Sequence, residues 1–335
     1  MRRKARGTSG NRAQTSYLGT KTKGETVTMK RLLALAALLL SHASPALAAP
    51  KAQGPEFVTE DVARFYQIYD AADRKPTAEQ LDRDYLAPGT PGLHLLARIR
   101  NVTGARIAAN IEAHPETYTE ARRCMAVLPA VGERLAKAFD RLATLYPEAR
   151  FPPTTIVVGR GRPVGVTEGE GIVMGLEALC WAKFLNADPT DRFVYTIAHE
   201  YAHVQQASAT EGLELGKPDA TVLRMSLVEG TGEFVAELIA GGVGQGQHAV
   251  WTKGKEREIA RAFVRDMDKT DVSDWLYNGP GDAAKPGDLG YWVGYRIVKA
   301  YYAKAKDKHA ALKAIFTLRD PKAFLAQSGW SPENP

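Results

Sequence analysis

Cysteine is scarce in this 335-residue chain, which has only Cys124 and Cys180. Two thiols fall short of a structural zinc knuckle, and neither lies close enough to residues 46–49 to carry a lipid there. Both sit in helix-like apolar surroundings, Arg123-Cys-Met-Ala-Val and Ala178-Leu-Cys-Trp-Ala. In an oxidising compartment they can bridge, but sequence does not supply their separation, so a disulfide and two buried free thiols both stay open. Long apolar runs are lacking too. Leu32–Leu40 is nine residues, too short to span a bilayer, and no second stretch approaches that need. Charge of one sign is the third absence. The whole chain is formally +6, but residues 1–48 hold nine basic groups and one acid, leaving 35 basic against 37 acidic groups in the rest, a net of −2. The basicity belongs to the leader, which removes the main support for a nucleic-acid partner. There is no internal repeat and no low-complexity tract. A hydrophobic content of 44% with 24% charged residues excludes wholesale disorder, and the length allows one large domain with a real core.

The leader has a recognisable build. Met29-Lys-Arg precedes the apolar run, and Ser41-His-Ala-Ser-Pro-Ala-Leu-Ala48 ends in small residues at Ala46 and Ala48. This is a secretory signal over residues 29–48, with the cut expected before Ala49. Residues 1–28 are polar, basic and aperiodic, so Met29 is the expected start, with an extended cationic leader as the alternative. The mature protein is expected to be exported to a bacterial periplasm or the exterior, with no stable membrane insertion.

The mature chain reads as α+β, mostly helical around a small sheet, in one domain over 49–335. An N-terminal helical part covers about 55–147 and a second part, which carries the candidate metal ligands described next, about 151–330. Apolar periodicity predicts helices from Thr59 and over 77–86, 90–112, 119–146, 190–209, 219–240, 251–268, 288–306 and 308–317, with a short one after Asp320. Thr154–Val158 and Gly171–Leu176 read as strands, joined by a glycine-rich connection.

The chemistry gathers at His199-Glu200-Tyr-Ala-His203. Positions i and i+4 put both imidazoles on one helical face, so one Zn²⁺ per chain can be held by both. Glu200 sits at the edge of that face, placed to take a proton from water without binding the metal. Catalytic zinc wants a third protein ligand. Ser226-Leu-Val-Glu-Gly-Thr-Gly-Glu-Phe-Val-Ala-Glu237 offers Glu229, Glu233 and Glu237 among apolar positions, where acids are costly unless paired or ligating. Glu229 is the best third ligand, and Glu233, one turn on, can hydrogen-bond a ligand histidine. Gly230 and Gly232 make sense if this helix packs closely on the His199 helix.

These two segments resemble the gluzincin metallopeptidases, the thermolysin-like clan. Within it they resemble a bacterial family described as predicted zinc-dependent proteases, whose members pair a two-histidine helix with a Glu-Gly-x-x-Glu-aromatic helix. The resemblance runs from about Phe151 to the C-terminus. It implies a zincin-like fold with the small sheet beside the active-site helix, that His199, His203 and Glu229 bind zinc, that Glu200 is the base, and that Glu233 supports a ligand. It also implies that the two strands include an edge along which a peptide substrate pairs. The spacing from His203 to Glu229 is longer than in thermolysin, which leaves Glu233 and Glu237 open as ligands. In gluzincins a later helix supplies a donor for the developing oxyanion. Here Gly290-Tyr-Trp-Val-Gly-Tyr-Arg offers Tyr295 first and Tyr291 second, with aromatic packing as the plain alternative. The expected activity is zinc-dependent peptide-bond hydrolysis. The rivals are an amidase acting on cell-wall peptide and a non-catalytic envelope binding protein.

Overall fold

Four short strands form the sheet on which the site is built. β1 is Phe57–Val58, β2 Thr154–Val157, β3 Gly165–Glu168 and β4 Gly171–Gly175. Their order is β1-β2-β4-β3, with β1, β2 and β4 parallel and β3 antiparallel to β4. β2 and β4 are buried along their whole length, which suits their apolar runs. In this computed structural model residues 55–162, 165–168 and 171–335 are described, all in one unit running from Pro50 to Pro335. The signal sequence over 29–48 and the stretch before it lie outside the described residues. Among the described residues no helix is long and apolar enough to cross a membrane. The fold is α+β and mostly helical, as read from the sequence.

The sequence reading missed β1 and β3. β1 is only two residues long, and β3 lies inside the stretch taken for a glycine-rich connection. β3 matters most, because it is an edge strand of the sheet and neither strand read from the sequence is. The loop ahead of β3 is pinned by a buried acid. Glu177 Oε1 accepts the amides of Gly159 and Gly161 at 2.9 and 3.0 Å. Burial pushes its carboxyl above the usual range, against the pull of those amides. Tyr118 adds a hydroxyl donated to the Gly159 carbonyl, 3.1 Å.

Several long helices expected from periodicity are divided. The span 90–112 breaks into Pro91–Arg100 and Gly104–Ala113, because Asn101 takes the left-handed conformation (φ 49°) that ends a helix, and Thr103 caps the next one. The span 119–146 becomes Pro115–Cys124, a short 3₁₀ turn, and Leu128–Leu145, with a proline in the first turn of each α-helix. The span 251–268 becomes His248–Trp251 and Glu256–Asp266. Periodicity carries across such breaks because the apolar stripe continues on both sides.

Cys124, at the end of its helix, is bonded to Cys180 in helix Leu176–Trp181, with Cα atoms 6.1 Å apart. The bridge ties the N-terminal helices to the element carrying Glu177 and closes a 56-residue separation. By loop entropy it contributes about 4 kcal/mol. The Cys124→Ser/Cys180→Ser protein is expected to lose roughly that much in denaturant unfolding; a loss below about 1 kcal/mol would mean that the unfolded chain is already restrained there.

Candidate metal centre

Two helices carry the site. The first, Pro189–Gln205, is capped by Asp188, whose carboxylate accepts the Asp191 amide at 2.8 Å, with Pro189 in the first turn. The start thus lies slightly ahead of the Thr190-Asp191 expected from sequence. Its inner face buries Phe193, Ile197 and Tyr201, the last against Phe139 with ring centroids 4.1 Å apart. The core therefore fixes the helix rotation that presents His199 and His203 on the other side. The second helix, Val222–Ala240, is capped by Thr221 and ends at Gly241 in the left-handed conformation.

The structure brings His199, His203 and Glu229 together. The two imidazole Nε2 atoms are 3.0 Å apart, and Glu229 Oε2 lies 3.3 Å from one and 3.4 Å from the other. Two donors each about 2.0–2.1 Å from one tetrahedral cation sit about 3.3 Å apart, so this triangle has the right size for Zn²⁺. Among the described residues it is the one cluster of three or more His, Cys, Asp or Glu suited to a metal. Both Nδ1 atoms face acceptors: His199 meets Glu233 Oε1 at 3.1 Å, and His203 meets Gln206 Oε1 at 2.9 Å. With each Nδ1 proton so placed, both Nε2 lone pairs are turned to the same point. Glu233 is itself held by the Gln245 amide, 3.1 Å, and Gln206 donates to the Val228 carbonyl, 3.3 Å.

Electrostatics fit a cation here. Burial favours neutral imidazoles, but hydrogen bonds to the Glu229 and Glu233 carboxylates outweigh it and push His199 well above its ordinary range. Burial would likewise raise Glu229, yet the neighbouring His203 and His199 hold it far below the carboxylate norm.

The geometry separates the three acids of the second helix. Glu229 faces both imidazole Nε2 atoms and Glu233 backs His199 from its far side. Glu237 pairs with Lys299 at 2.8 Å, away from the histidines. The two tyrosines also part. Tyr291 lines the cleft with His199, Glu200, His203 and Glu229, its ring 6.1 Å from that of His199. Tyr295, the first choice as oxyanion donor, lies against Glu237 in a separate small cavity, its hydroxyl 2.7 Å from Lys299 Nζ. One helical turn suffices to carry it out of the cleft. The glycines divide similarly. Gly232 lies against the His199 ring, as expected, whereas Gly230 packs on Gly294 of helix Leu289–Lys304.

Three contributors escaped the sequence reading. Thr167, on edge strand β3, donates its hydroxyl to Glu200. Tyr277 donates to Glu229 Oε1 at 2.6 Å, from a backbone with φ 60°. Gln206, fully buried, ends the first helix and turns back to His203. Burial and the Glu229 charge both raise the Tyr277 hydroxyl, keeping it a donor. Gln206 had a signal, three positions after His203 at a helix end; Thr167 and Tyr277 had none, since a distant strand and loop supply them.

The cleft, about 440 Å³, is lined by Thr167, His199, Glu200, His203, Thr210, Glu229 and Tyr291 together with Val166, Leu213, Met225, Val228 and Arg100. Residues 167–320 match the model of a family described as "Predicted Zn-dependent protease". No curated protein and no solved structure matches the chain.

Proposed function

From that family match, taken with the donor triangle, we propose that the protein is a zinc metallopeptidase whose metal is held by His199, His203 and Glu229. The observation that carries this reading is the convergence of two imidazole Nε2 atoms and one carboxylate oxygen at tetrahedral spacing, in a cleft that also holds Glu200. Zn²⁺ in such a site polarises a carbonyl and makes water a competent nucleophile near neutral pH. Glu200 takes the proton of the attacking water on its carboxylate and passes it to the leaving amine. Thr167 fixes that carboxylate through one oxygen, Oε2, leaving Oε1 for the proton. Tyr291, kept protonated by burial and the Glu229 charge, donates to the developing oxyanion. Glu233 and Gln206 hold the ligand imidazoles in one tautomer, and Tyr277 holds Glu229. β3 offers its free edge to an extended peptide, whose main chain would pair as an added strand.

The protein acts after export, in our reading, directed by residues 29–48. The Cys124–Cys180 bridge supports this, since disulfides persist in oxidising compartments.

The test is metal content together with cleavage of a peptide library. The purified protein is expected to carry one zinc and to lose cleavage on chelation. His203→Ala is expected to lose both zinc and activity, and undiminished zinc by elemental analysis would sink the ligand assignment. Parallel digestion of casein and of cell-wall material separates a peptidase from a cell-wall amidase.

A further inference from the structure

Arg100 is a cation in the catalytic cleft that the mechanism does not use. It is exposed, it ends helix Pro91–Arg100, and it lines the same space as β3, Glu200 and the metal ligands. A basic residue in the last turn of a helix often serves its free carbonyls. Here other side chains do so: Arg160 Nη2 meets the Arg100 carbonyl at 3.1 Å, and Arg106 Nη1 meets that of Asn101 at 3.2 Å. Among the described residues the Arg100 guanidinium forms no ion pair. The two acids lining the cleft are committed elsewhere, Glu229 to the histidines and Tyr277, Glu200 to Thr167. Thr210 also lines the cleft, and Val166, Leu213, Met225 and Val228 give it apolar walls.

Resting on the peptidase reading above, we infer that Arg100 is a specificity residue that receives a substrate carboxylate. A planar guanidinium binds a carboxylate through two parallel hydrogen bonds. Gly165, Val166 and Thr167 of β3 line the same space as Arg100, so a peptide paired on that strand would pass within its reach. The substrate class is a peptide bearing a negative charge near the scissile bond, either an acidic side chain or its own C-terminal carboxylate. The second source would make the enzyme act close to chain ends. Arg100 lies outside residues 167–320, so this selectivity belongs to the N-terminal helices rather than to the matched stretch.

Binding separates this inference from the catalytic reading. The zinc-loaded Glu200→Gln protein is titrated, by fluorescence anisotropy, with three sets of labelled hexapeptides. One set is neutral and C-terminally amidated. The second carries Glu at each position in turn, still amidated, and the third is neutral with a free C-terminus. One carboxylate-bearing set is expected to bind about fivefold tighter than the neutral set, the upper scale of one partly exposed charge pair. In the Glu200→Gln/Arg100→Gln protein the ratio should collapse to about one. A preference for the second set identifies an acidic side chain, and for the third a chain end. Equal binding of all three sets, or a preference that survives Arg100→Gln, overturns the inference. Carboxylate preference with no cleavage by the wild-type protein would overturn the peptidase reading and leave Arg100 standing.

Discussion

Glu200→Gln is expected to leave the protein folded and zinc-loaded while its peptide cleavage falls by about 10²–10⁴-fold. That fall corresponds to about 3–5 kcal/mol of lost barrier reduction. The physical case rests on what the substitution keeps. Glutamine has nearly the same shape, and its carbonyl oxygen can still accept the Thr167 hydroxyl that holds Glu200. The triangle of His199, His203 and Glu229 has no contact that passes through Glu200, although its charge acts on His203 from a distance. Zinc affinity should therefore weaken only modestly, with one metal per chain by elemental analysis. What glutamine cannot do is accept a proton from water and return it to the leaving amine. Cleavage within a few-fold of the wild type would remove Glu200 as base, whatever the metal content. Thr167→Val provides a graded companion. It keeps the base but lets it swing, so kcat should fall while zinc content stays constant.

The contrast between Thr167 and Glu200 also shows what the sequence could and could not convey. The histidines, Glu200, Glu229 and Glu233 were legible because they sit on two helices, where a fixed period turns spacing into direction. His199 and His203 are one turn apart, and Glu229 and Glu233 are too, so each pair declares a shared face. Which acid meets which nitrogen was not legible, because it depends on the axial shift between helices. That shift is set by contacts such as Gly232 against the His199 ring. Gly294 beside Tyr295 favours that tyrosine in the sequence, but its close approach is to Ser226 and Gly230, and the packing of Leu289–Lys304 decides that Tyr291 is the one that reaches the cleft. Tyr277 was out of reach altogether, held by a loop whose ends are tied by Asn278 and Asp288 through two reciprocal bonds of 3.0 and 2.7 Å. β3 was hidden because a four-residue edge strand shows little alternation, and its pairing with β4 is a fact of register. The helical breaks at Asn101 and before Pro129 were visible as residue types, but a continuous apolar stripe outvoted them.

Two glycine-to-alanine substitutions should divide the site from the fold. In an exposed helix interior this change stabilises by about 1 kcal/mol, because alanine is the better helix former. Both positions should reverse that sign. At Gly294 an added Cβ would lie 1.7 Å from the Ser226 carbonyl oxygen and 3.2 Å from the Gly230 Cα. Those are backbone atoms of the neighbouring helix, so helices Val222–Ala240 and Leu289–Lys304 would have to separate. Overpacking against rigid backbone costs about 3 kcal/mol or more, a fall in melting temperature of roughly 6–12 °C for a domain of this size. At Gly232 the added Cβ would lie 2.4–2.6 Å from three atoms of the His199 imidazole. The obstacle is a side chain, and a side chain can move. His199 would swing away from Glu233 and from the point it shares with His203 and Glu229. Gly232→Ala is therefore expected to cost little in melting temperature but to weaken zinc binding by about 10–100-fold, the scale of losing a ligand's orienting partner. Chelator competition reads the affinity and calorimetry reads the fold. If Gly232→Ala melted as early as Gly294→Ala with zinc affinity intact, the close approach of the two site helices would serve packing alone, and the triangle would owe its shape to something other than the missing Cβ.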